Sequence, residues 1–228
     1  MTRFRIAELR LGRIQPFGPK QAPSAIDKQP VVGPVMARAM GLDGDQQGDP
    51  NHHGGIDKAI HAYPRAHYPV WAAELPQRAA LFTPGGFGEN LVVEDVTEAD
   101  LCLGDHWRIG DALLEVSQTR QPCWKLNLRF DTPDMSRRVQ DSGRSGWYFR
   151  VVQAGEITAG DVAALEARPH PGWTLARVSH LLYHDRLNHA ALRDFLALPS
   201  LPDRWRRLAE ARLDTGRTED WSRRLTLD

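Results

Sequence analysis

The chain has 228 residues, 41% of them hydrophobic, enough for one large domain, or one domain with a small satellite, around a sizeable core. Its 29 Lys and Arg balance 29 Asp and Glu, so no global field draws it to nucleic acid or membrane, and any anion site must be local. Two cysteines, Cys102 and Cys123, cannot build a disulfide framework or supply the four thiolates of an iron–sulfur cluster, and a reducing, cytoplasmic setting is expected.

The opening "MTRFRIAELRLGRI" alternates charge and hydrophobe, which predicts a strand and not the continuous apolar core of a signal peptide. No run of about 18 apolar residues predicts a membrane-spanning helix. Two Gly- and Pro-dense segments follow, "PFGPKQAPSAID" and "GLDGDQQGDP", and then "PNHHGGIDKAIHAYPRAHYPVW" at 50–71. A helix is predicted at Pro69–Leu75, with Pro69 tolerated in its first turn; a start at Pro64 would leave Pro69 to break it. After the turn "TPGGFGE", the segments "ENLVVED" and "ALLEVSQT" read as strands. "LCLGDHWRIGD" at 101–111 and "AGEITAGD" at 154–161 both end in Gly-Asp, as tight turns between strands do. Many short strands between turn signals predict a mainly β barrel or sandwich and argue against a doubly wound sheet. From Pro169 the texture changes. "TLARVSHLLYH", with Thr174 as cap, then "HAALRDFLAL" and "PDRWRRLAEARL" predict three short amphipathic helices. Such a unit is marginal alone and should pack on the barrel or on a partner. The expected division is 1–168 and 169–228.

Two stretches carry the chemistry. In residues 50–71 a zinc site, an anion cradle and a plain turn are all compatible with the composition. His52 and His53 are adjacent, so in an extended chain they face opposite ways and cannot easily share a metal. His61 and His67 lack the i, i+4 spacing of a helical zinc pair. The second stretch is "SQTRQPCWKL" at 117–126. An isolated cysteine is usually a buried small hydrophobe. Cys123 has Arg120 and Lys125 within three residues, the electropositive setting of a reactive thiol. Cys102, between leucines, reads as core.

"HHGGIDKA" at 52–59, "GGFGENL" at 85–91 and "QTRQPCWKL" at 118–126 occur in an order that resembles the MOSC domain, named from the C-terminal part of molybdenum-cofactor sulfurases. The closest resemblance is to its stand-alone YiiM-like group, which adds a C-terminal three-helix unit, so it covers nearly the whole chain. Pro69 departs from the pattern and bears only on where its helix starts.

The resemblance implies a pyruvate-kinase-barrel-like MOSC β-barrel with a few helices. It also implies a molybdenum cofactor (molybdenum on a phosphorylated pterin dithiolene) with Cys123 as the protein's metal ligand. A soft thiolate suits such a centre. On this reading Gly54 and Gly55 let the backbone approach an anion, Lys58 adds a point charge and Arg120 offers a fork to phosphate. His52 and His53 line the pocket, with His53 as a catalytic proton donor. Asp57 orients Lys58, Glu89 and Asn90 read the polar pterin edge, and Lys125 adds charge. Arg150 is a weaker candidate, with a surface salt bridge as its alternative. The implied activity is reduction of N-hydroxylated compounds such as 6-hydroxylaminopurine, a base analogue the group is associated with detoxifying. Electrons would come from a separate reductase, because no Gly-x-Gly-x-x-Gly opens a βαβ unit. The alternative is a non-catalytic carrier of cofactor or sulfur; a zinc hydrolase is a third class. A homodimer through the helical unit is compatible with its apolar face. All cofactor candidates precede residue 169, so the helical unit should be dispensable to the site.

Overall fold

The computed structural model describes residues 2–226; the side chains of Asn51 and His52 fall outside the description. The alternating N-terminal segment forms β1 (Arg3–Gly12), which turns Phe4, Ile6 and Leu9 into the core. The Gly/Pro-rich region makes only short strands: β2 (Gln15–Phe17), β3 (Ala22–Ser24), β4 (Lys28–Pro30), β5 (Val35–Arg38) and β6 (Gly41–Leu42). One helical turn, α1 (Pro50–His53), and a 3-10 turn at Ile56–Lys58 lead into β7 (Ile60–Pro64). Next come α2 (His67–Glu74), a 3-10 segment at Pro76–Leu81, and β8 (Leu91–Glu94). The hairpin of β9 (His106–Ile109) and β10 (Ala112–Thr119) precedes α3 (Lys125–Arg129) and α4 (Met135–Ser142). Then follow β11 (Trp147–Gln153), β12 (Gly155–Ile157) and β13 (Val162–Ala167).

Seven of these strands form a closed barrel in the order β13-β9-β10-β11-β7-β8-β1, and β1 pairs back to β13 with Phe4 opposite Ala163. Closure leaves no long free edge among them. β4 extends the far end of β1. The barrel pairings are antiparallel except β7–β8, which are parallel with Ala62 opposite Leu91. A parallel pair cannot be joined by a tight hairpin. Residues 65–90 supply the crossover, so α2 and the glycine-rich loop exist because of this one pairing. Trp107, Leu114, Val116, Trp147 and Phe149 fill the interior, and a second, aromatic cluster of Tyr63, Trp71, Phe82, Phe87 and Phe130 packs outside it.

α2 begins at His67, two residues before the predicted start, with Pro69 in its first turn, where backbone N–H groups have no intrahelical partner. His52 and His53 lie on the helical turn α1 and not on extended chain. α1, α3 and α4 are additions to the single helix predicted before residue 165. α4 shows why: its buried face is Met135, Ser136, Val139 and Gln140, so half of the inward stripe is polar and leaves no helical period of hydrophobes to read.

The C-terminal region forms α5 (Leu175–Tyr183), α6 (His189–Leu196), α7 (Asp203–Thr215) and a last turn, α8 (Ser222–Leu225). Thr174 caps α5 by accepting the Arg177 N–H, and Asn188 caps α6 by accepting that of Ala191. The core of the unit, built on Val178, Leu182, Phe195 and Trp205, takes in Leu103 from the barrel side, while Leu175 belongs to the barrel core itself. The unit therefore packs on the barrel. Among the described residues no helix is long and apolar enough to cross a membrane.

Candidate active site at Cys123

A narrow cleft of about 60 Å³ opens where the end of β10, strand β7, the Gly88 turn and the segment 47–53 meet. Cys123 lies on its wall in the loop between β10 and α3, 7% exposed, with Arg120 at 5% and Lys125 at 8%. The loop leaves the strand where Arg120 N–H bonds the Gly146 carbonyl at 3.0 Å. Close packing shapes the opposite wall: a Cβ on Gly48 would sit 2.4 Å from the Pro23 carbonyl oxygen. At Gly88, φ is +76°, a backbone only glycine adopts freely.

Arg120 is the unusual side chain. Its Nη2 reaches the Phe87 carbonyl at 3.4 Å, and its buried Nη1 has no hydrogen-bond partner among the described residues. An unmet buried donor on a charged group costs at least about 1–3 kcal/mol, which a ligand oxygen would recover. Lys125 donates to the Pro23 carbonyl at 3.0 Å. Of the carboxylates near the cleft, Asp45 is committed to Lys28, at 2.5 and 2.7 Å, and to the Gly12 N–H. The Asp49 carboxylate lies 3.7 Å from His53 Nδ1. Burial and the cations Lys125, Lys58 and Arg120 pull the His53 imidazole down to about 3, against Asp49, so it is neutral at pH 7. Burial and Arg204 bring Lys58 down to about 8, opposed by Cys123, Asp49 and Asp57. Cations thus surround the thiol.

Of the residues singled out in the sequence, His53, Asn90, Arg120, Cys123 and Lys125 line the cleft together. Asn90 is occupied: it accepts the His61 N–H and donates to the Arg10 carbonyl and to Asp45, so it braces the wall. Glu89 stands behind the wall, where it accepts the Tyr68 hydroxyl and the N–H groups of Gly85 and Phe87 and so holds the glycine loop in shape. Gly54 and Gly55 form the turn before Ile56–Lys58 and do not line the cleft; Lys58 faces it electrostatically. The Asp57 carboxylate binds Arg150 at 2.7 Å while also acting on Lys58 through its charge, and Arg150 also holds Glu115. Arg150 is therefore a structural ion-pair residue. The His52 side chain is outside the described residues. Cys102 is core, 1% exposed, and burial raises its thiol.

His61, Tyr148 and Lys28 also line the cleft and were not singled out as ligand-binding residues. His61 and Tyr148 are directly opposed across β7 and β11, with ring centroids 5.1 Å apart. Burial, then Arg120, pulls His61 down to about 3, while burial raises the Tyr148 phenol against the pull of Arg120. Only strand register brings these two to the thiol, and no linear motif marks it. Among the described residues no three His, Cys, Asp or Glu side chains converge as a metal cage, so the zinc reading has no ligand set there.

Fold and cleft together define a β-barrel protein built around one buried thiol in a cation-rich cavity. The family model for the MOSC domain matches residues 49–164, and that for the YiiM-like 3-alpha helix domain matches 173–216. Protein YiiM of Escherichia coli K12 is 38% identical over 214 residues, 94% of this chain and 95% of that protein. Its crystal structure superposes with a TM-score of 0.84 at 32% identity, covering all of both chains. A protein named "Reductase" from Gibberella moniliformis is 38% identical over 91% of this chain, which spans 37% of that protein's length. The chain belongs to the MOSC domain family, in the form that carries the YiiM-like three-helix domain.

Proposed function

We propose that the cleft holds a molybdenum–pterin cofactor through Cys123 and that the protein reduces N-hydroxylated compounds, hydroxylaminopurines among them. One observation carries the reading: a buried thiol shares its cavity with a buried guanidinium whose Nη1 has no hydrogen-bond partner among the described residues. A thiolate suits a soft, sulfur-rich metal centre, and a guanidinium with a spare donor suits a phosphate or carbonyl oxygen. The residues present fit the group. When bound, the cofactor would supply the oxygen-accepting redox centre that no side chain provides. Cys123 would ligate the metal, and Arg120 and Lys125 would anchor anionic oxygens. Lys58, near 8, keeps an ammonium proton at neutral pH and is the better proton donor; neutral His53 is a wall and an acceptor.

The electron donor would be a separate protein. In support, the Gibberella reductase contains a great deal of chain beyond the part this protein matches. The test is elemental analysis of gently purified protein, coupled to fluorescence of oxidised pterin, followed by turnover of a hydroxylaminopurine with dithionite. Molybdenum near one per chain and turnover with dithionite, but not with NADH alone, are expected. Absence of molybdenum from protein made in a cofactor-producing host would sink the proposal. Bound molybdenum with no turnover under any reductant would make the protein a carrier.

A further inference from the structure

We infer that the last turn, α8, is a clamp that positions Cys123, with Arg224 as its working residue. The inference rests on reading Cys123 as the functional thiol. Arg224 stands 102 residues after Pro122, yet it takes hold of both neighbours of the cysteine. Its Nη1 donates to the Pro122 carbonyl at 2.6 Å, and its own carbonyl accepts the Trp124 N–H at 2.7 Å. The peptide units on either side of Cys123 are thereby tied to one residue. The other arm of the fork donates to Gln140 Oε1 on α4, a side chain 1% exposed, so the guanidinium is held from both ends.

The loop needs such a tie. It leaves β10 after Thr119 and reaches α3 at Lys125, and Pro122 in its middle has no N–H to offer a ladder. α8 is itself anchored next to Arg224: Leu225 is 3% exposed, and its carbonyl accepts Asn127 Nδ2 at 2.8 Å and Ser136 Oγ at 3.0 Å. Burial lowers the Arg224 guanidinium, opposed by Tyr183 and Cys123, so the same residue lies within electrostatic reach of the thiol. Arg224 is a positioning residue supplied by the helical unit to a site built on the barrel.

The test is amide hydrogen exchange on the full-length protein with no metal or cofactor added, comparing the peptide 120–127 with β10 as reference. Arg224→Ala should quicken exchange in 120–127 by about tenfold, the effect of one charged hydrogen bond, and leave β10 unchanged. Arg224→Lys keeps the main-chain acceptor and one donor and should fall between the two. Arg223→Ala, an exposed neighbour, should match the parent. No change in Arg224→Ala, or a rise spread equally over the barrel, would overturn the clamp. If Arg224→Ala does not fold, the lysine variant decides by the same comparison. Exchange stands apart from the molybdenum reading, because it is measured without the metal. In protein that does carry molybdenum, content should fall in Arg224→Ala and hold in Arg223→Ala; full retention would overturn the clamp's role at the cysteine.

Discussion

Cys102 and Cys123 put the same side chain in opposite settings, and their alanine variants should separate accordingly. Cys123→Ala is expected to lose molybdenum and keep its melting temperature, because the loss falls on a loop wall. Cys102→Ala, in the core against the Pro171 carbonyl, should keep the metal and lose about 1 kcal/mol of stability on denaturant unfolding. Equal molybdenum in both would refute the ligand assignment. At Arg120, alanine should weaken cofactor binding by about 1.5–3 kcal/mol, and lysine should rescue only in part, since an ammonium cannot replace the planar fork. Full affinity in the alanine variant, measured by cofactor titration, would move the anion site elsewhere. His61 gives a pH test. Its folded imidazole is held near 3 against 6.5 when unfolded, so unfolding takes up a proton between those values. Stability from this group is complete above about pH 6.5 and is lost as pH falls, at about 1.4 kcal/mol per pH unit. His53, half-buried, adds a smaller effect in the same window. His61→Gln removes one titration, so its melting temperature should fall less steeply from pH 6.5 to 5; an unchanged slope would count against the assignment.

Element by element, legibility followed the hydrophobic pattern. α5, α6 and α7 could be read because each carries an apolar stripe, and Thr174 and Asn188 cap the first two. Thr174→Ala should cost about 1 kcal/mol, read as a lowered denaturation midpoint. A larger loss would show that the backbone bridge between Cys102 and Thr174 is also disturbed. β1, β8 and β10 were legible for the same reason, as period-two or continuous apolar runs. α4 was not, because Ser136 and Gln140 face inward. The site divided along similar lines. Cys123, Arg120 and Lys125 are marked by their chemistry within six residues of chain. His61 and Tyr148 reach them only through β7–β11 register, and Arg224 only through a turn at the far end of the sequence. Residues set by pairing carry no local signal. Glu89 and Asp57 were visible in motifs, yet their partners are loop amides and Arg150, and those too are settled by tertiary contacts.

For the molecule as a whole, the expectation that the helical unit is dispensable to the site does not fit the packing. Leu175 lies in the barrel core and α8 holds the Cys123 loop, so a chain ending at residue 168 opens both. Such a truncation should melt well below the parent and, where soluble, retain less molybdenum; unchanged values for both would show that the barrel is self-sufficient. The balance of charge has a further consequence. The chain is neutral in sum, yet Arg120 and Lys125 line the cleft and Lys58, Arg204 and Arg224 belong to the same electrostatic cluster, so the charges outside this group sum to a net negative. A distant anion meets no attraction, since beyond a Debye length of about 8 Å the cluster is screened. On the proposed reading an anionic group would feel the cluster only within that length, so its capture would depend on where it arrives and little on the total charge of the protein.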